Sequence, residues 1–97
     1  MLYSFEGGSK DGAYPEAGLL NVNGTLYGTT YEGGGATGGG TVFAITTSGK
    51  ETLLHSFTGS GDGEYPNAGL IDVSGTLYGT TADGGANDGG TVFLLSP

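Results

Sequence analysis

The phrase GTLYGTT occurs twice in this chain, at residues 24–30 and 75–81, as the clearest part of a longer duplication. Ser4 and Ser56, Asp11 and Asp62, and Gly40 and Gly90 hold corresponding positions, so the period is about fifty residues. A repeat of this length constrains the fold more than any composition does. Each copy must be one supersecondary unit, and its faces must be covered by its neighbours.

Within a unit the pattern is all strand. Short β-prone runs occupy 2–5 and 51–57. Gly-rich segments follow and end in Tyr14-Pro15 and Tyr65-Pro66, where proline pins the entry to the next strand and cannot sit inside a paired one. Strands are expected at 17–22 and 68–73. Asn23-Gly24 and Ser74-Gly75 then suit tight two-residue hairpins, whose primed turns need positive φ. TLYGTT returns as the second strand, and a second Gly-rich loop at 31–40 or 82–90 leads to TVFAIT or TVFLLS. The first of these turns through Ser48-Gly49 into 51–57. No segment carries the 3.6-residue period of a helix.

The unit is thus four antiparallel strands. In TVFAIT, Phe43 and Ile45 point one way and Val42 and Ala44 the other, and both sets are apolar. In the following strand Leu53 and Phe57 oppose Leu54. A sheet apolar on both faces must be covered on both sides. Four-stranded sheets stacked face to face around an axis achieve this, and that arrangement is a β-propeller. The 23 glycines would by themselves suggest a low-complexity tract, but six tyrosines, four phenylalanines and patterned Leu, Val and Ile argue for a folded chain.

The pattern PxAGL(L/I)xVxGTLYGTT…GGTVF…SG…ETLLxSF resembles, over essentially the whole chain, the bacterial β-propeller repeats of the Gloeobacter and Verrucomicrobia type. Its strand rhythm is also similar to that of NHL-type propellers. The resemblance implies blades in long exported or cell-surface proteins, and it implies no shared biochemical activity. By this analogy 17–22 and 68–73 are inner strands, TLYGTT is second, TVF third and the LxSF strands outermost.

That order leaves the strands out of phase with the chain. The first blade spans 17–57, whereas the second, 68–96, lacks its outer strand, and an outer strand stands alone at 2–5. Two blades cannot close a ring. The expectation is a homo-oligomer in which Leu2, Tyr3, Ser4 and Phe5 complete the blade ending in Thr91, Val92, Phe93, Leu94 and Leu95 of a neighbour, since head-to-tail interfaces give rings when the rotation closes. Three chains would give six blades and four would give eight; frequent Gly, Ala and Thr in the first two strands favour eight. The starting Met set directly against a strand suggests an excised or engineered unit of a longer propeller. The N-terminus lacks the basic start and apolar core of a signal peptide, so the sequence does not assign a location.

A net charge of −8, with Lys10 and Lys50 as the only cations, argues against nucleic acid and anionic membranes as partners. The absence of cysteine excludes disulfides and thiolate metal sites. Chain order puts the loops at 6–16, 31–40, 58–67 and 82–90 on one side of a ring, and all carboxylates except Glu51 and Asp72 fall in them. Candidate ligand-binding residues there are Asp11, Tyr14, Glu16, Glu32, Asp62, Glu64, Tyr65, Asn67, Asp83 and Asp88. Clustered oxygens would suit Ca²⁺, although Asp-Gly is equally good turn chemistry, which is the favoured reading. Tyr14 and Tyr65 would stack on a sugar, or else pack over the loop base. Tyr27 and Tyr78 are expected to pack between blades, and His55 to be structural. With no Cys, a single His and no Ser in a strained elbow, nucleophile–base pairs cannot be built from one chain. The expected function is a non-enzymatic self-assembling scaffold without cofactor; the alternative is a module binding glycan or Ca²⁺.

Overall fold

A computed structural model describes residues 1–7, 11–35, 38–58 and 63–97. Among them the chain is all-β, with two antiparallel sheets and no helix. Strands β1 (Leu20–Val22), β2 (Thr25–Thr30), β3 (Thr41–Thr46) and β4 (Glu51–Ser56) form the first sheet in that order. Strands β5 (Ile71–Val73), β6 (Thr76–Thr81) and β7 (Thr91–Leu95) form the second.

Local chemistry explains the hairpins. Asn23 and Gly24 take φ of 55° and 91°, Ser74 and Gly75 take 53° and 90°, as a type I′ turn requires at both central residues. Asn21 Oδ1 accepts from the Gly24 N–H and Asp72 Oδ1 from the Gly75 N–H, fixing both turns. At the opposite end of each sheet a threonine pair ties the second strand to the third. Thr30 and Thr41 Oγ1 lie 2.8 Å apart, as do Thr81 and Thr91 Oγ1. Thr30 donates to the Glu32 carbonyl and accepts from the Thr41 N–H, so these buried hydroxyls are satisfied.

The inner strands are shorter than the expected 17–22 and 68–73. Pairing stops at Leu20↔Tyr27 and Ile71↔Tyr78. Beyond that point the Leu19 side chain turns onto Gly28, where an added Cβ would lie 2.9 Å from it and 2.8 Å from Phe43. Leu70 does the same over Gly79 beside Phe93. A side chain on either glycine would push this leucine away, so the close approach replaces further ladder pairing.

Strand register sorts the side chains onto faces. In the first sheet Leu20, Val22, Tyr27, Val42 and Ala44 share one face; Leu26, Gly28, Phe43 and Ile45 share the other. In the second sheet the corresponding sets are Ile71, Val73, Tyr78, Val92 and Leu94, and Leu77, Gly79, Phe93 and Leu95. The first set of the first sheet packs on the second set of the second sheet. Val42, Phe57, Leu70 and Leu77 are the buried centre, with Leu20, Val22, Tyr27, Leu54, Phe93 and Leu95 around it. Tyr27 therefore packs between sheets as expected. Across this interface β1 and β5 approach most closely.

Residues 2–5 have no strand pairing within the described chain. They lie against the other face of the first sheet, where Leu2, Tyr3 and Phe5 line a cleft with Leu19, Phe43 and Ile45. Phe5 meets Phe43 edge-on at 5.0 Å, and Phe57 meets Phe93 edge-on at 5.1 Å. Phe5 and Phe57 are corresponding residues of the repeat. The N-terminal segment thus sits on the first sheet as the end of β4 sits on the second.

Candidate functional site

Two surfaces carry the residues singled out by the sequence. The first is the open face and edge of the second sheet. In the first sheet β4 covers the outer edge of β3; the corresponding edge of β7 has no partner strand among the described residues. The face behind it is open as well. Val92 is 78% exposed, whereas its counterpart Val42 is 1% exposed in the interface between the sheets. Leu94, Ile71 and Val73 are exposed beside Val92. The opposite end of the chain shows the complementary surface. Leu19 is 55% exposed and its counterpart Leu70 only 7%, while Leu26 is half-buried where Leu77 is fully covered. Pro15 is likewise exposed where Pro66 is buried.

The chain therefore presents, at its two ends, the two halves of the interface it makes between its own sheets. Of the residues expected at closure, Val92 and Leu94 line the open face, Thr91, Phe93 and Leu95 point into the chain's own core side, and Leu2, Tyr3 and Phe5 occupy the complementary end. Sequence reasoning missed Ile71 and Val73, which alternate with Asp72 just as Leu20 and Val22 alternate with Asn21.

Asp11 holds the N-terminal segment in place. Its buried carboxylate accepts from the Glu6 and Gly7 N–H groups, each at 3.0 Å, and from the Tyr3 hydroxyl. Donation to Asp11, then burial and the charge of Glu51, push the Tyr3 phenol up to about 12. These donors leave Asp11 a tether rather than an open ligand group. Replacing Asp11 with alanine should cost about 1.5–3 kcal/mol, because charged hydrogen bonds are lost and backbone donors stranded. A denaturant titration checks this; an unchanged midpoint would refute the tether.

Glu51 lies opposite Ile45 on the face this segment covers, and its Oε2 is buried without a hydrogen-bond partner among the described residues. Burial first, and then the charge of Asp11, raise its pKa above the ordinary glutamate value. A raised carboxyl pKa means that ionisation opposes folding. Stability is then lost as pH climbs from about 4 through the folded pKa. Glu51→Gln should remove that loss and raise stability near pH 7, because the amide has no charge to desolvate on folding. Thermal melts from pH 4 to 7 should show a flatter profile for the variant; parallel profiles would contradict the assignment.

The second surface is the loop face. Ala13 pairs with Glu32, and Glu64 with Asp83, so the loops expected to share one side do meet. Across the interface between the sheets, the Tyr65 N–H donates to the Gly39 carbonyl at 2.7 Å and the Tyr65 ring stacks on Tyr31 at 4.9 Å. The nearby charge of Glu64, then burial and the charge of Glu32, raise the Tyr65 phenol above its ordinary value. Tyr31 was not singled out from the sequence, and its only signal is a tyrosine where the other repeat has Ala82. Tyr14, Glu16, Glu32, Asn67, Asp83 and Asp88 are exposed and Glu64 is half-buried. Asp62 lies outside the described residues. Among the described residues no three His, Cys, Asp or Glu side chains come together in a group able to hold a metal ion. His55 packs edge-on against Phe57 at 4.7 Å.

A family model described as Gloeobacter/Verrucomicrobia repeat matches residues 1–97. No curated protein and no solved structure matches the chain.

Proposed function

Because the chain belongs to the Gloeobacter/Verrucomicrobia repeat family, we propose that it is a non-enzymatic scaffold that closes into a β-propeller by assembling with copies of itself. The two sheets are then two blades, about 17–57 and 68–96. The observation that carries this reading is the pair of half-interfaces at the two ends. Val92 is open where Val42 is covered, and Leu19 is open where Leu70 is covered. A second copy would place its Phe43 face and its N-terminal segment on the open face and edge of the second sheet, using contacts the chain already makes internally. Residues 2–5 of that copy would supply the fourth strand, much as β4 does in the first sheet.

The interface is head-to-tail, so repetition closes only if the rotation per copy divides a full turn. Close approach of β1 and β5, with the outer strands further apart, is what a radial stack of blades needs. Three or four chains, for six or eight blades, fit a ring of two-blade units. Burial of apolar residues at roughly 1.5–3 kcal/mol for each large side chain supplies the driving force.

Amide hydrogen exchange on serial dilution tests the reading. Protection of the β7 amides on its open edge and of residues 2–5 should fall together as the protein is diluted, while β2, β3 and the β7 amides that donate to β6 stay protected. Open-edge protection that is independent of concentration would overturn intermolecular pairing.

A further inference from the structure

In the assembly proposed above, the junction between copies would differ from the junction inside the chain on the loop face. Inside the chain, Tyr65 of the second sheet's loop stacks on Tyr31 of the first sheet's loop. Between copies the corresponding pair is Tyr14 of one chain and Ala82 of the next. Tyr14 adopts the same backbone conformation as Tyr65, with φ of 59° against 60°. Its carbonyl accepts from the Tyr31 N–H at 3.0 Å, as the Tyr65 carbonyl accepts from Ala82. The Tyr14 backbone thus follows that of Tyr65, yet Tyr14 is 62% exposed and, in the assembly proposed above, would face the Ala82 methyl group where Tyr65 meets a second ring.

Resting on the assembly proposed above, we infer that each junction between copies holds a slot for one neutral sugar ring, with Tyr14 as its stacking wall and Ala82 as its floor. The internal stack shows how large a flat ring this space takes. The polar surroundings select its chemistry. Asp83 corresponds to Glu32, whose charge reaches the stacked Tyr65 across the internal junction, and Glu16 corresponds to Asn67. The carboxylates of Asp83 and Glu16 are exposed and accept hydrogen bonds only, so a ring with several O–H donors suits them. Its C–H face would lie on the tyrosine. An anionic ring would be repelled by these groups and by the net charge of −8. Tyr31 fills the equivalent space inside each chain, so the slot occurs once per chain.

The test uses the whole protein, with its mass measured in the same buffer. Saturation-transfer NMR with methyl β-D-glucopyranoside and with cellotetraose should show transfer from a tyrosine ring, saturating at one ligand per chain. Tyr14→Ala should abolish the signal, and so should Ala82→Tyr, which fills the slot with the missing stacking partner. Ala82→Tyr should also slow ring dissociation by about three- to tenfold, as an added aromatic pair does. An intact ring without transfer up to about 10 mM ligand, or transfer that persists in Ala82→Tyr, would overturn the slot while leaving the assembly standing. A monomeric mass would overturn the assembly itself, and the slot with it.

Discussion

Val92→Glu should convert the assembled protein to single chains while leaving each chain folded. Val92 is exposed in the isolated chain, so a carboxylate there meets water and costs the monomer little. On assembly it would take the place that Val42 holds in the internal interface, against the counterparts of Leu70 and Leu77 in the next copy. An uncompensated charge on such a surface costs several kcal/mol, and about 4 kcal/mol already weakens association roughly a thousandfold. Separation by mass at micromolar concentration reads the outcome, and the far-UV spectrum reads the fold. Asp88→Asn, which removes an exposed loop carboxylate, is the control and should assemble as the parent does. Assembly of Val92→Glu at parental strength would remove the open face from the interface.

Deletion of residues 1–5 should have the other large effect, out of proportion to its length. It removes Leu2, Tyr3 and Phe5 from the first sheet, uncovering Phe43 and Ile45, and in the proposed assembly it would also remove the strand offered to a neighbour's second sheet. Leu2, Tyr3 and Phe5 are only partly buried, so each contributes less than the roughly 1.5–3 kcal/mol of a fully buried side chain. Together they are still a sizeable part of a small domain's stability. The deleted chain should therefore unfold at lower denaturant and fail to assemble. A permuted chain separates the two roles: residues 1–7 are moved behind Pro97 through a copy of residues 48–52, which keeps the repeat's register. There the segment would complete the second sheet within one chain, and the product should regain the parental mass. Unchanged mass after the simple deletion would show that residues 2–5 are not an intermolecular strand.

Strand order, hairpin type and sheet composition were legible in the sequence because they depend on neighbours in the chain. Asn23-Gly24 and Ser74-Gly75 specify their turns locally, and alternation in TVFAIT marks a sheet buried on both faces. Contacts between separate segments were not legible in the same way. Asp11-Gly12 reads as a turn, and nothing local says that the carboxylate reaches back to Tyr3, Glu6 and Gly7. The Tyr31–Tyr65 stack joins loops of different repeats, so neither loop alone announces it. Ile71 and Val73 are as apolar as Leu20 and Val22; which pair is covered depends on what stands opposite, and no strand pattern encodes that. For the loop face the sequence singled out a chemistry, carboxylates and tyrosines, but not a geometry. The structure divides that set into Asp11, used internally, Tyr65, stacked, and Tyr14, open.

The mass of the folded protein in native electrospray, taken at concentrations from about 1 to 100 μM, decides whether the chain closes into a ring with its own copies. One closed species of three or four 9.6 kDa chains, holding six or eight blades without a ladder of intermediate sizes, is expected. A folded, stable species of a single chain across that range would contradict it.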